Sequence, residues 1–323
     1  MDVGLRRGAV WSTLLMGALF GAFNLAVVHL HLRPNPPSHN QTHAGFQIWA
    51  FAFLLTAPTT RPRLLLWGTL AAQLLVGWGR VGDVLPFGVP SMLAGSLLQL
   101  ALACSTRSPG WIAAALLLAA GGVDALLDGD AMQANRWNQA VYAAALLGAV
   151  LPGIQGELRD VHRPRVAAAA RMLAPLGAAI LVVAWMTRSM RVVDVGLVVV
   201  AASTALFSTA WRPRVPALRI AKGGLHLFTL AAFVCVATGS SGLALDATRH
   251  AFTIGFVLPA LFARAFPERR LGPAAGLMLA GAVLRQAQVV AALAAAPAWL
   301  WVSGLSGLVA AAGVVLAAFS RPR

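Results

Sequence analysis

Seven histidines stand in a chain that is otherwise 59% hydrophobic and only 11% charged. Imidazole is the side chain best suited to hold a metal or to exchange a proton near neutral pH. The seven are His29, His31, His39, His43, His162, His226 and His250. His29 and His31 form an HxH pair, and His39 and His43, four apart, share one face of a helix. This first group offers the donor type of a copper or zinc site. His43 opens HAGFQIWAFAFLL and His250 opens HAFTIGFVLPALF, and each run leads on to an arginine, Arg61 or Arg264. Both imidazoles enter an apolar layer from the same side, about 5 Å below a helix end at 1.5 Å per residue. That is how two axial ligands would meet one planar cofactor. The plainer alternative is an ordinary interfacial histidine, and spacing alone leaves both readings open. His226 lies near the other end of its run and cannot share that layer. His162 falls in a hydrophilic stretch and reads as solvated.

Other polar residues interrupt the apolar runs. Arg285, in GAVLRQAQ, is an expensive position for a charge in lipid. It has two natural partners: the anionic edge of a bound cofactor, or an aspartate on a neighbouring helix. Arg249 beside His250 is a second candidate for such an edge or a snorkelling anchor, and Arg80 and Arg33 are further cations at that end. Asp83, Asp124, Asp128, Asp130, Asp194 and Asp246 read as an acidic rim, with Asp246 expected to cap a helix. Cys104 and Cys235 stand far apart with no CxxC, so they read as buried thiols.

The elements that must position these groups are hydrophobic helices. Lipid supplies no hydrogen-bond partners, so each span has to satisfy its own backbone as a helix. Mean hydropathy is +0.76, and the pattern predicts an all-α polytopic bundle with twelve spans. They run over 8–32, 44–60, 64–80, 84–104, 111–127, 137–154, 168–187, 192–211, 223–240, 247–266, 272–292 and 297–319. Residues 1–323 then form a single transmembrane domain, with no soluble domain left over. Pro90, Pro152, Pro175 and Pro259 are expected to kink their helices.

Charge orients the spans. The N-terminus, the even-numbered loops and the C-terminus hold 18 Lys and Arg, the alternate side 7. The positive-inside rule therefore predicts both termini in the cytoplasm. Nine of the ten tryptophans, all but Trp49, fall near predicted span ends, as an interfacial belt requires. The net charge of +15 is accounted for by topology and anionic headgroups, which makes the bilayer the partner and excludes nucleic acid. Arg6 and Arg7 precede an apolar run too long for a cleaved signal peptide. No triad, phosphate-binding loop or carboxylate pair appears, and the composition excludes a soluble enzyme.

Three stretches carry a resemblance to a known family. They are HNQTHAGFQIWAFAFLLTA from His39 to Ala57, HAFTIG from His250 to Gly255, and GAVLRQAQ from Gly281 to Gln288, followed by PAWLW and a terminal RPR. The chain resembles the NnrS family of haem- and copper-containing twelve-helix membrane proteins, related in architecture to the catalytic subunit of haem–copper oxidases. The resemblance implies an oxidase-like helix arrangement in a bacterial inner membrane. It also implies a b-type haem between span two and span ten, with copper as a second candidate. The haem ligands would be His250 and either His43 or His39, and its propionates would point toward Arg285 and Arg249. The implied work is a nitric oxide response or electron transfer, with a small gas or a redox protein as partner. Two departures limit this. The family's Trp-His-Ala-His-Glu signature is broken, and spans six and seven contain no histidine, so an oxygen-reducing binuclear centre is not expected. A secondary transporter and a cofactor-free structural subunit on the same scaffold are the alternatives.

Overall fold

A computed structural model describes residues 2–15, 42–81, 88–127, 131–239, 242–294, 296 and 298–321. These residues are helical, with no strand among them beyond an isolated bridge between Val161 and Trp211. They form twelve helical stretches: α1 (Val3–Ser12), α2 (42–56), α3 (Pro62–Val81), α4 (Gly88–Thr106), α5 (Pro109–Leu127), α6 (131–157), α7 (Pro164–Thr187), α8 (Met190–Ala210), α9 (Pro216–Ala237), α10 (242–265), α11 (272–293) and α12 (Trp299–Phe319). Eight are long and apolar enough to cross a membrane: α4 to α9, α11 and α12. Large apolar side chains such as Trp67, Leu127, Met172 and Leu230 lie on the outer surface. Such a surface suits lipid contact. The molecule is a multi-pass helical membrane bundle.

Proline writes the helix starts on one side. Pro62, Pro109, Pro164 and Pro216 open α3, α5, α7 and α9, and Pro273 is the second residue of α11. Its fixed φ suits a first turn, and its missing N–H costs nothing there. This is also the side of the N-terminus: Arg6 donates to the carbonyl of Ala265 at the end of α10, at 2.7 Å. The loops there interlock, with His162 N–H bonded to Ala210 O, Arg212 N–H to Asp160 O, and the Trp211 indole N–H to Arg159 O.

The helices repeat in fours. α3 with α4, α7 with α8, and α11 with α12 are close antiparallel pairs, each seated on glycine. A Cβ on Gly95 would lie 2.5 Å from Ala72 O, one on Gly177 2.5 Å from Val200 Cγ2, and one on Gly313 2.9 Å from Ala274 O. Small residues let backbones approach where no hydrophobic drive exists between helices. α2, α6 and α10 instead fill the interior. Residues 48–55 of α2 are all buried, and so are 255–262 of α10. The three touch pairwise, through α2 against α6, Phe51 against Phe262, and Arg249 against Gln139.

These interior helices share a backbone feature. Each contains a stretch of widened π turns: Phe46–Phe53, Ala143–Val150 and Thr253–Val257. In α6 and α10 the cause is visible, because Pro152 and Pro259 follow directly. Each ring clashes with the carbonyl four residues back, which lies in the π stretch. Pro90 sits in the first turn of α4, where it is harmless, and α7 carries on through Pro175. Of the tryptophans expected in an interfacial belt, Trp111 and Trp211 are fully buried. Trp111 packs on Trp49 and Phe53, while Trp211 packs on Phe207 and Phe256. Each lies near a helix end, as the sequence predicts, but inside the core.

Candidate functional site

His250 is positioned by its own helix and by α11. Its Nδ1 lies 2.8 Å from the carbonyl oxygen of Asp246, one turn earlier, and 3.4 Å from Asp246 Oδ1. A carbonyl only accepts, so Nδ1 carries the proton and the lone pair of the neutral ring is on Nε2. This is the arrangement that orients a histidine for ligation: one nitrogen tied back to backbone and carboxylate, the other presented.

Asp246 is in turn held from outside. Arg285 donates to Asp246 Oδ2 from Nη2 at 2.8 Å and from Nε at 3.1 Å. Gln288, with its NH2 facing the carboxylate, reaches Oδ2 at 2.9 Å and accepts from Ser303 Oγ of α12 at 3.2 Å. Gln286 donates to Ala247 O at 3.0 Å. The polar RQAQ tetrapeptide of α11 thus clasps one turn of α10. Two expectations change here. Asp246 lies inside α10, which is already helical at Gly242, and so does not cap it. Of the two partners open to Arg285, the structure assigns the aspartate.

Arg249 faces elsewhere. Its Nη1 donates to Gln139 Oε1 of α6 at 2.7 Å, its guanidinium stands 6.0 Å over the Tyr142 ring, and its Nη2 is 4.0 Å from Asp246 Oδ1. Arg80 of α3 reaches the neighbouring residue of α6, Asn138, at 2.6 Å. A Cβ on Gly45 of α2 would lie 3.2 Å from Arg80 Nη1 and 3.1 Å from Gln73 Oε1. The far ends of α2, α3 and α10 therefore converge on one turn of α6 through their polar groups.

His43 is half-buried in the first described turn of α2. Eight residues on, Phe51 stacks against Phe262 of α10 with ring centroids 5.4 Å apart. Phe262 lies twelve residues beyond His250. With π turns in both helices, these intervals are close to two and three turns. Phe51 and Phe262 mark the faces on which α2 and α10 meet, and His250 lies about one turn, ~6 Å, further out along its helix than His43 does along its own.

His29, His31, His39 and Arg33 lie outside the described residues. Among the described residues no three His, Cys, Asp or Glu side chains gather into a metal-binding group. His226 of α9 is bonded to Ser208 Oγ of α8 at 3.0 Å, well away from His250. Cys104 is exposed and Cys235 is buried in α9. Asp246, Gln286, Gln288 and Ser303 were not singled out by sequence as site residues, although two glutamines beside Arg285 in an apolar run were the signal.

No protein-family model, no curated protein and no solved structure matches this chain.

Proposed function

We propose that this chain is an NnrS-like membrane haem protein of a bacterial inner membrane. In this reading all twelve helices span, in an oxidase-like arrangement, with both termini cytoplasmic. His250 and either His43 or His39 would hold one b-type haem between α2 and α10. The observation that supports it best is the orientation of His250, whose Nδ1–H is held by Asp246 while Asp246 is held by Arg285 and Gln288. The donor set fits: neutral imidazole presented from one helix, facing a second helix that carries another. Copper would instead rest on His39 and His43, with His29 and His31 near them in the sequence.

The residues of the chain have definite tasks in this reading. Asp246 keeps the proton on Nδ1 and leaves Nε2 as donor, and Arg285 holds Asp246 in place. Arg285 is thereby a positioning residue, and Arg249 and Arg80 remain the cations beside α6 for a propionate edge. A haem held there would supply one-electron chemistry or a nitric oxide site. The work is a nitrosative-stress response or electron transfer.

A reduced-minus-oxidised absorption spectrum of protein purified from haem-supplemented cells tests this. A b-type α band is expected in wild type and in His226→Ala, and its loss in His250→Ala. Well-folded wild type without haem would overturn the reading and leave the cofactor-free scaffold.

A further inference from the structure

A second internal feature lies on the other side of α10. Leu245, Thr248, Arg249 and Phe252, spaced three and four apart, line a cavity of about 60 Å³ shared with α6, α7, α8 and α9. Asp246 lies on another side of α10, where it meets Arg285 of α11. The walls are apolar and buried, among them Leu146, Leu181, Leu197, Phe228 and Phe252.

Size and chemistry decide what fits. A dry apolar cavity of about 150 Å³ takes a benzene ring, so one of about 60 Å³ does not admit a quinone head or any ring of that size. Water would fit by volume but needs two to four polar partners. Almost none of the lining surface is polar, and two of its polar groups are engaged: Thr248 Oγ1 donates to Ala244 O at 2.8 Å, and Gln139 Oε1 accepts from Arg249 at 2.7 Å.

We propose that this cavity binds one small uncharged apolar molecule, of the size of a diatomic gas or a xenon atom, drawn from the surrounding lipid. Arg249, seated on Gln139 and over Tyr142, stands between the cavity and the Asp246–His250 side of α10. The site is thus a store beside the histidine cluster, separate from any position on His250 itself. It stands on geometry alone and does not depend on haem.

The test is xenon, which needs no cofactor. Crystals of the full chain under xenon pressure are expected to show an anomalous peak between Leu146, Leu181 and Phe252. Filling the space with Ala143→Phe should abolish that peak, and enlarging it with Leu147→Ala should strengthen it. If Ala143→Phe fails to fold, the enlarged variant decides. A wild type that loads xenon elsewhere but not here overturns the proposal, as does ordered water or a lipid tail in the cavity. Haem loss with xenon retained would sink the haem reading alone, and the reverse would sink only this one.

Discussion

Breaking the pair between Arg285 and Asp246 is the most direct test of how α10 is anchored. Arg285 is 8% exposed and makes two charge-assisted hydrogen bonds, at 2.8 and 3.1 Å, to one carboxylate oxygen. Removing one partner of a buried pair costs about 3–5 kcal/mol, because a charge is left in a poor medium. Two features lower that figure here. The Asp246 side chain is 28% exposed, and Arg249 stands 4.0 Å from its other oxygen. Arg285→Met or Asp246→Leu alone should therefore cost about 2–3 kcal/mol. Replacing both together removes the unpaired charge and should cost no more than about 1 kcal/mol. The assay is built into the chain: with the exposed Cys104 changed to Ser, the fully buried Cys235 reports unfolding to a thiol-reactive dye. At one heating rate, each single variant should lose about 3–5 °C, with the double variant recovering most of it. Additive losses would refute the argument, since they would mean the two side chains act on different neighbours.

Glycine packing gives a sharper prediction. A Cβ on Gly224 would lie 2.0 Å from Gly255 O, against backbone that cannot yield, whereas Gly276 has nothing within 4 Å. Gly224→Ala should abolish monodisperse protein on size exclusion, and Gly276→Ala should raise the thermal midpoint by the equivalent of about 0.5–1 kcal/mol. For topology, a C-terminal fluorescent reporter should be bright and a C-terminal alkaline phosphatase silent. An active phosphatase would reverse the orientation read from charge.

Most helices were legible in the sequence because apolar run length and punctuation by proline are local signals, although α6 and α9 begin six and seven residues before the predicted spans, and most of the first predicted span lies outside the described residues. Even the third span, interrupted by Gly77, Gly79 and Arg80, forms as the continuous α3. Which helices lie inside was not legible. α2, α6 and α10 carry no more apolar residues than their neighbours, and burial is set by what surrounds them. Trp111 and Trp211 show the same limit: a tryptophan near a helix end satisfies the interfacial pattern whether it faces lipid or core. The partner of Arg285 was narrowed to two and then decided by the turn of α10 that faces it. The cavity had no sequence signature at all, since five helices contribute to its wall. The resemblance to the NnrS family rests on the quoted stretches alone, because no comparison with known proteins matches the chain.

The π turns connect the local sequence to the proposed site. In a regular α-helix, eight residues advance the helix by 800°, so Phe51 would sit about 80° around from His43; twelve residues would put Phe262 about 120° around from His250. If Phe51 and Phe262 pack together, as they do at 5.4 Å, regular helices would turn both histidines away from the shared interface. Widened turns take more residues each, and the stretches at Phe46–Phe53 and Thr253–Val257 fall between each histidine and its phenylalanine. They bring histidine and phenylalanine back onto one face. Pro259 supplies the cause in α10, so an apparently destructive residue holds the register between the aromatic contact and the imidazole above it. In α6 the same device, at Pro152, sits between Tyr142 and the ion pair of Glu157 with Arg264. That helix thereby meets α10 at both ends, through Gln139 at one and Glu157 at the other. The interior is thus set by three helices whose periodicity departs from 3.6.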